Sequence, residues 1–346
     1  MSEISHGSSE PIAAVDLGEL DDLRLRGLIV VREHPDLDFK VANYTSQRQI
    51  KDAEWTPLLE ACRGLIFNPD GEIIARPFRR MREITAGQEL PEGSFIAYEK
   101  LDGSLGVQYP TPDGPRIATR GNFLGRQALK GSELLQRYVG FDFGSGVTPL
   151  WEIIYPENKI VVDYGKEERL TLLGLINTVT GEDQPLPDPQ DVPFEVVGSI
   201  EGVTNAQDLL AQAVLNAEGF VVKMNQTEER IKVKFPHYDY LAAQRRGTLS
   251  YRVWRDMNSG ASHEIDLSSV PPLAYEVVLS TAADLKEKYA EMLERIAAAG
   301  IEKSPRDTLP KNIAQFLRAN PNSTVPNDMI WQAIRPERNP SRTRKR

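Results

Sequence analysis

The sequence is poor in the residues and patterns on which several protein classes depend. It has one cysteine, Cys62, among 346 residues, so an intrachain disulfide and a cysteine-based zinc site are both excluded. No apolar run approaches the roughly 18 residues needed to span a bilayer. The N-terminal segment also lacks a basic region followed by an apolar core. We therefore expect a cytoplasmic protein with no membrane partner.

An excess of basic residues is missing as well. The formal net charge is -9, from 41 Lys and Arg against 50 Asp and Glu. Proteins that bind polyanions by bulk electrostatics usually carry the opposite balance, so phosphate binding must come from local clusters. Two clusters are present: "ARPFRRMRE", which contains Arg76, Arg79, Arg80 and Arg82, and the tail "RPERNPSRTRKR". We interpret the tail as a solvated terminus, whereas the first cluster lies between strand-like segments.

The length and the patterning predict two domains. A domain usually contains about 150 residues, and the character of the sequence changes near Gly247. Residues 1–247 contain mainly short strands and turns with a few helices, which predicts an α+β domain with antiparallel sheets. Residues 248–346 predict a small all-helical domain that ends in the basic tail.

Individual segments predict specific elements. The run "CRGLIFNPDGEIIARPF" predicts a hairpin with its turn at Asn68-Pro69-Asp70-Gly71. "KIVVDYG" and "RIKVKF" are typical of strands, and "NAQDLLAQAVLNA" predicts a helix capped by Asn205. In the C-terminal part, a helix is predicted from an N-cap at Thr281 to a stop at Gly300, and two shorter helices are predicted within 309–321 and 326–336.

One short stretch, "YEKLDGSLGVQY", places an ammonium group at the corner that follows a strand. Lys100 is separated from Asp102 by one residue, and Gly103 follows at once. Alone, such a stretch is weak evidence for a site, because surface turns often contain these residues. The order of the features downstream makes it stronger: two acidic residues, Glu152 and Glu218, occur in or beside predicted strands.

Two further lysines alternate along the strand "IKVKF". Residues i and i+2 of a strand face the same side, so Lys232 and Lys234 can point into one cleft. A site with a corner lysine, two carboxylates and two parallel lysines is suited to a nucleoside triphosphate and a divalent metal ion. Lys100 is then the predicted nucleophile, which attacks the α-phosphorus.

These motifs, in this order, resemble the covalent nucleotidyltransferase superfamily of polynucleotide ligases and capping enzymes, whose hallmark is Lys-x-Asp-Gly. Within it, the chain most resembles the RNA ligases typified by the tRNA-repairing ligase of T-even phages. The resemblance covers roughly residues 28–245. It is carried by the segments "ACRGLIFNPDGEIIARPF", "KLDGSL", "YPENKIVVDYG", "EGFVVK" and "KVKFPHY".

The resemblance implies a nucleotidyltransferase catalytic domain and a role for each matching residue. Lys100 receives AMP from ATP, with Asp102 and Gly103 beside it, and Arg63 contacts the nucleotide or the reacting ends. Glu152 contacts the ribose or organises the metal site, and Glu218 supports the metal ion, which is Mg²⁺ or Mn²⁺. Lys232 and Lys234 hold the α-phosphate and the departing pyrophosphate. Tyr238 matches an aromatic position just beyond them, where a half-buried core tyrosine is an equal alternative.

Two positions depart from the family pattern. The family commonly has lysines where this chain has Arg80 and Arg120. Both substitutions keep the positive charge, but a planar guanidinium is not equivalent to an ammonium at a phosphate site. We expect both arginines to bind the nucleotide, with their detailed roles left open.

The predicted function is that of an ATP-dependent RNA ligase that joins a 3′-hydroxyl to a 5′-phosphate in RNA repair, with nicked tRNA as one possible substrate. A DNA ligase or a GTP-dependent capping enzyme is the nearest alternative. Those relatives usually append an OB-fold barrel, whereas the segment after Gly247 predicts helices. A non-catalytic RNA-binding protein is the alternative from another class, and a retained nucleophile argues against it.

Overall fold

The structure is a computed structural model that describes residues 11–45, 50–84, 87–257 and 265–298. The chain divides into two compact units, Met1–Phe235 and Pro236–Arg346. Sequence patterning predicts the boundary near Gly247, whereas the helix that begins at Pro236 belongs to the second unit. Each unit is described by itself.

The first unit carries the strands of the described chain, together with four short helices. The helices are α1 (Leu17–Leu25), α2 (Pro57–Ala61), α3 (Arg126–Leu135) and α4 (Ala206–Ala211). The strands are β1 (Ile29–Glu33), β2 (Lys40–Tyr44), β3 (Arg63–Phe67), β4 (Ile73–Ala75), β5 (Arg82–Ile84), β6 (Phe95–Glu99), β7 (Ser104–Tyr109), β8 (Arg116–Thr119), β9 (Val147–Ile154), β10 (Arg169–Asn177), β11 (Asp183–Gln184), β12 (Glu195–Val196), β13 (Ser199–Ile200), β14 (Gly219–Met224) and β15 (Arg230–Lys234).

These strands form three sheets. The first has the order β1-β2-β3-β4, the second has the order β11-β10-β9-β7-β8 with β12 beside β10, and the third has the order β13-β6-β14-β15-β5. The pairings are antiparallel except for β10 with β12 and β15 with β5, which are parallel. The prediction of an α+β domain with antiparallel sheets is therefore confirmed.

The predicted hairpin at Asn68–Gly71 is present between β3 and β4, which pair antiparallel. Asn68 fixes the turn, because its Oδ1 accepts hydrogen bonds from the backbone N–H groups of Asp70 and Glu72. Gly71 has a φ of 86°, and a Cβ at this position would lie 2.6 Å from the carbonyl oxygen of Val15. Only glycine fits such a corner without displacing the neighbouring backbone.

The sheets of the first unit meet in a shared apolar core. Val41 and Ile66 of the first sheet pack in one cluster with Val107 and Leu150 of the second, and Val221 of the third packs against that cluster. A second cluster on the other face of the second sheet surrounds Trp151, Ile153 and Phe194. β9 is buried over nearly all of its length and lies between β10 and β7 in the second sheet.

One predicted strand is wrong. The segment "KIVVDYG", residues 159–165, forms bends and turns instead of a strand. The reason is that the N–H groups of Val161 and Val162 donate to the side-chain carboxylate of Asp102 and are not available to a strand partner. The apolar composition of the segment gave no indication of this local competition.

The predicted helix capped by Asn205 is confirmed at its start but is shorter than predicted. The side chain of Asn205 accepts a hydrogen bond from the backbone N–H of Asp208, and the helix ends at Ala211. The apolar residues Val214 and Leu215, which the sequence pattern places on the helix, lie exposed beyond its end.

The described part of the second unit is helical, as predicted. It contains α5 (Pro236–Arg245), α6 (Leu249–Met257) and α7 (Tyr275–Ala298), with short 3-10 turns at Leu267–Ser269 and Pro272–Ala274. A core cluster that includes Tyr240, Trp254 and Leu285 holds the three helices together. None of the helices in the described ranges is long and apolar enough to cross a membrane.

The predicted N-cap at Thr281 is wrong, because α7 begins at Tyr275. The hydroxyl of Thr281 instead donates to the carbonyl oxygen of Val277, one turn back in the helix interior. The predicted stop at Gly300, the helices predicted within 309–321 and 326–336, and the basic tail lie outside the described residues.

His34 is predicted to make the stability of the protein depend on pH. Its Nδ1 accepts backbone N–H bonds from Asp36 and Leu37, and its Nε2 lies 3.3 Å from the Tyr109 hydroxyl. Burial lowers the pKa of His34, and the nearby Asp36 carboxylate only partly opposes the shift. The unfolded chain therefore binds more protons than the folded chain below about pH 6.5, so stability should fall as the pH drops through that region.

The measurement is denaturant unfolding of wild type and His34→Asn at about pH 7.5 and about pH 5.5. Asn keeps a side-chain acceptor near the backbone N–H groups but does not titrate. The stability advantage of the wild type over the variant should shrink at the lower pH. An advantage that stays constant between the two conditions would contradict a neutral, acceptor role for His34.

Candidate active site

Lys100 occupies the corner between the end of β6 and the start of β7. Its backbone N–H donates to the carbonyl oxygen of Gly219 at 2.9 Å, so the corner is tied to β14. Gly103 completes the corner, and its N–H donates to Glu152 Oε1 at 2.7 Å. A Cβ on Gly103 would lie 2.5 Å from the carbonyl oxygen of Ile153. The glycine of the Lys-Leu-Asp-Gly motif is therefore required by the close approach of β9.

A cavity of about 410 Å³, called here the Lys100 cavity, opens at this corner. Its walls combine cationic, acidic and apolar side chains from all three sheets. The predicted site residues that line it are Arg63, Lys100, Gly103, Arg120, Glu152 and Lys232. The structure thus brings together in one cavity residues that are widely separated in the sequence.

Glu218 is the ion-pair partner of Lys100. Its Oε2 lies 2.7 Å from Lys100 Nζ, and its Oε1 lies 3.9 Å from Lys234 Nζ. The Glu218 side chain is only 5% exposed, and this burial raises its pKa, while the charge of Lys100 acts in the opposite direction. The carboxylate therefore holds the lysine amine at a fixed position inside a poorly solvated site.

The two lysines of β15 face one side of the strand, as predicted. Ile231 and Val233 are buried on the opposite side. Lys232 lines the Lys100 cavity, and burial, with the charges of Arg63 and Lys100, lowers its pKa to about 7. Lys234 is not among the residues that line the cavity, and its Nζ lies 3.2 Å from Glu83 Oε2.

Arg63 and Arg120 supply two more cationic groups. In the described residues, Nε and Nη1 of Arg63 are buried without a hydrogen-bond partner. Burial lowers the pKa of Arg63 to about 10, and the charge of Arg120 acts in the same direction. Arg120 is held by Asn43 Oδ1 at 3.1 Å and lies over the Tyr44 ring, 4.9 Å from its centroid. Buried, unpaired guanidinium donors beside a cavity are suited to an anionic ligand.

The carboxylates fit a metal ion that is shared with a substrate. Burial raises the pKa of Glu152 to about 7, and Glu152 and Glu218 both feel the charge of Lys100. Within the described ranges there is no group of three or more acidic, histidine or cysteine side chains arranged to hold a metal. Mg²⁺ usually takes one or two carboxylates and completes its shell with water and substrate phosphates. The donor set therefore fits a metal that arrives with a polyphosphate.

Two of the predicted nucleotide-binding residues of the first unit, Asp102 and Arg80, have protein partners and do not line the Lys100 cavity. The Asp102 carboxylate accepts hydrogen bonds from the N–H groups of Val161 and Val162 and does not line the Lys100 cavity. Arg80 lies over the Trp55 ring and pairs with Asp52 at 3.3 Å. Tyr238 is buried in α5, within the second unit.

The arginine cluster that the sequence singles out has protein partners. Arg76 donates to the backbone carbonyls of Ile12, Thr178 and Val179. The other three pair with carboxylates: Arg79 with Glu60, Arg80 with Asp52 and Arg82 with Glu229. These four arginines line a second cavity of about 330 Å³ together with acidic side chains. Their charge is therefore largely compensated inside the protein.

An apolar part of the Lys100 cavity was missed by sequence reasoning. Phe78, Leu101, Leu173 and Val221 contribute to its walls. Phe78 packs against Gly174, where a Cβ would lie 2.5 Å from Phe78 Cζ. The guanidinium of Arg230 lies over the Phe78 ring, 4.1 Å from its centroid. A flat, apolar wall of this kind suits a nucleobase. In the sequence, the only indication of this wall is the aromatic residue Phe78 within "ARPFRRMRE".

Comparisons with known proteins give partial matches. No family model matches the chain. A protein of Thermovibrio ammonificans described as "Putative RNA ligase" is 31% identical over 206 residues, which cover 53% of this chain and 53% of the relative. The chain thus matches about half the length of that relative.

Two solved structures overlap with larger parts of the chain. An archaeal ATP-dependent RNA ligase has a TM-score of 0.47 at 13% identity and covers 80% of each chain. A protein described as "Putative ATP-dependent DNA ligase from Aquifex aeolicus" has a TM-score of 0.42 at 14% identity, with 89% of this chain and 81% of that chain covered.

Lys232 is predicted to destabilise the folded protein near neutral pH. Its folded pKa, about 7, lies below the ordinary lysine value. The unfolded chain therefore binds more protons between about pH 7 and about pH 10, and wild-type stability should rise across that window. Replacing Lys232 with Met, which fills similar space without charge, should raise the melting temperature at pH 7, and the gain should shrink towards pH 10.

The control is Lys166→Met, because Lys166 is exposed on the surface. Thermal unfolding of the three proteins across this pH range makes the comparison. A Lys232→Met protein that melts below the wild type at pH 7 would show that the amine is stabilised by contacts and not strained by burial.

Proposed function

We propose that this protein is an ATP-dependent RNA ligase that works through a covalent lysyl-AMP intermediate. The observation that carries the proposal is the position of Lys100. Its amine is held by a buried carboxylate, Glu218, and lines a cavity that also contains Arg63, Arg120 and Lys232. A constrained amine surrounded by spare cationic groups is suited to attack on a polyphosphate. The partial relative described as an RNA ligase supports the same class.

In the first step, the Lys100 nitrogen attacks the α-phosphorus of ATP. A P–N bond forms, the bond between the α-phosphorus and the bridging oxygen breaks, and pyrophosphate leaves. Arg63 and Lys232, which line the cavity with Lys100, stabilise the charge that moves onto the phosphate oxygens. The base stacks against the apolar wall formed by Phe78 and its neighbours.

Glu218 has two tasks in this scheme. Its 2.7 Å contact with Lys100 Nζ orients the amine in the free enzyme, and together with Glu152 it would hold a divalent cation once phosphates are present. Bound there, Mg²⁺ or Mn²⁺ would neutralise phosphate charge during transfer. The proton of the lysine must be lost before attack, because an ammonium has no lone pair.

The remaining steps pass AMP to RNA and then join the strands. The 5′-phosphate of RNA attacks the lysyl-AMP, which gives an RNA 5′-adenylate and restores Lys100. A 3′-hydroxyl then attacks the adenylated phosphate, a phosphodiester forms and AMP leaves. Nicked tRNA is one RNA that fits this sequence of reactions, and RNA repair is the setting that we propose.

Two alternative functions would use part of the same site. A DNA ligase or a GTP-dependent capping enzyme would share the lysine chemistry, but the described chain after Phe235 is helical and contains no strands from which an OB-fold barrel could be built. A non-catalytic RNA-binding protein would not need a lysine and a glutamate paired in a buried site, since burying such a pair costs desolvation energy.

The first test is covalent labelling. Wild-type protein incubated with α-labelled ATP and Mg²⁺ should retain label after denaturing electrophoresis, and Lys100→Ala should retain none. The same variant should still seal RNA that carries a ready-made 5′-adenylate, because that step needs no lysine nucleophile. Lys166→Ala, which changes an exposed lysine, is the matched control. Normal labelling of Lys100→Ala would refute the assignment of the nucleophile.

The second test separates the alternatives by substrate. We expect labelling by ATP and not by GTP, and sealing of nicked RNA in preference to nicked DNA of the same sequence. Preference for GTP would favour a capping enzyme, and equal or better sealing of DNA would favour a DNA ligase. Binding of RNA by a wild-type protein that never becomes labelled would favour the non-catalytic alternative.

A further inference from the structure

The segment between β9 and β10 packs beneath the Lys-Leu-Asp-Gly corner. Residues 155–165, called here the bracing loop, contain a short 3-10 turn at Pro156–Asn158 followed by bends and turns. No residue of the loop lines the Lys100 cavity, and none is among the predicted catalytic or nucleotide-binding groups. Its contacts with the corner nevertheless form a continuous series.

Asp102 and the bracing loop are joined in both directions. The Asp102 carboxylate accepts hydrogen bonds from the N–H groups of Val161 and Val162, at 2.7 Å and 2.8 Å. In return, the backbone N–H of Asp102 donates to the hydroxyl oxygen of Tyr164 at 2.9 Å. Asp102 is only 3% exposed. Its backbone N–H would therefore have little access to water if the tyrosine oxygen were absent.

The next two residues of the corner are fixed in the same way. Gly103 N–H donates to Glu152, and the hydroxyl of Ser104 donates to Asn158 Oδ1 at 3.1 Å. Asn158 is itself held by a bond from its Nδ2 to the carbonyl oxygen of Ile153 at 2.9 Å. Residues 102, 103 and 104 are thus each tied to β9 or to the loop that follows it.

Lys100 lies between two anchored backbone groups. Before the corner, its own N–H is bonded to Gly219 of β14. After the corner, the first anchored N–H is that of Asp102, which depends on the Tyr164 hydroxyl. The direction of the Lys100 side chain is set by this short backbone segment, so a shift at Asp102 moves the nucleophile relative to any bound nucleotide.

We propose that Tyr164 is a positioning residue whose hydroxyl fixes the Lys100 corner for attack on the α-phosphorus. This inference rests on the proposed function, because it assigns Tyr164 to the first of its three steps. Tyr164 acts through the backbone of Asp102 and has no role in the final sealing of an adenylated RNA. Bond formation requires reacting atoms about 3 to 3.5 Å apart and aligned, and a misplacement of about 1 Å can cost roughly 10²-fold in rate.

The test replaces Tyr164 with Phe, which keeps the ring and removes only the hydroxyl oxygen. In single-turnover experiments at saturating ATP, the rate constant for lysyl-AMP formation should fall by about tenfold to a hundredfold. The ATP concentration for half-maximal rate should change by less than about twofold, because the nucleotide contacts are intact. Sealing of pre-adenylated RNA should proceed at the wild-type rate.

The matched control is Tyr155→Phe. Tyr155 lies in the same loop with a buried ring, and its hydroxyl makes no hydrogen bond to the residues that the structure describes. It should leave both reactions unchanged. A purely structural role for Tyr164 would slow lysyl-AMP formation and sealing together and would lower the melting temperature in parallel, which would overturn the positioning role.

Unchanged lysyl-AMP formation in Tyr164→Phe would also overturn it. If Tyr164→Phe does not fold, Ser104→Ala is used in its place, because it removes the hydrogen bond from Ser104 to Asn158 in the same series. Lysyl-AMP formation should again slow while sealing of pre-adenylated RNA does not. If Ser104→Ala slowed both reactions equally, or neither, the proposal would fail. Failure of the proposed function would look different, since the wild type itself would then not be labelled by ATP.

Discussion

The site depends on one contact, the ion pair between Lys100 and the buried carboxylate of Glu218. Lys100 comes from the corner after β6 and Glu218 from the residue before β14, and these strands are neighbours in the third sheet. Taking both charges out of water is costly unless they meet at close range. The pairing of β6 with β14 makes that meeting possible, and the backbone bond from Lys100 to Gly219 sets its register.

Around this pair, the cavity carries more positive charge than its carboxylates balance. Burial lowers the pKa of Lys232 to about 7, and two buried donors of Arg63 have no hydrogen-bond partner among the residues that the structure describes. This excess of positive charge is unfavourable in the free protein, and it would be balanced by the polyphosphate that we propose as the ligand. The arginine cluster at residues 76–82 differs from this cavity. Its guanidinium groups are already bound to carboxylates or backbone carbonyls, so they are less available to an anionic ligand.

The features that were predicted correctly from the sequence are those that depend on short-range residue patterns. The alternation of Lys232 and Lys234 with buried neighbours, the turn at Asn68–Gly71 and the cap at Asn205 follow from short-range rules, and the structure has them. The sequence could not predict where Asp102 and Arg80 would find partners, because those partners lie in distant segments. The apolar run around Val161 resembled a strand for the same reason, since its N–H groups bind a carboxylate 59 residues or more away in the chain.

The separation of the ion pair along the chain also bears on how the protein is made. Lys100 and Glu218 are 118 positions apart, so their contact closes a long loop and belongs among the slow, non-local events of folding. During synthesis, the corner lysine emerges well before β14, and it has no buried carboxylate to hold it until the third sheet is complete. The proposed nucleophile is thus held by its carboxylate only in a nearly finished domain.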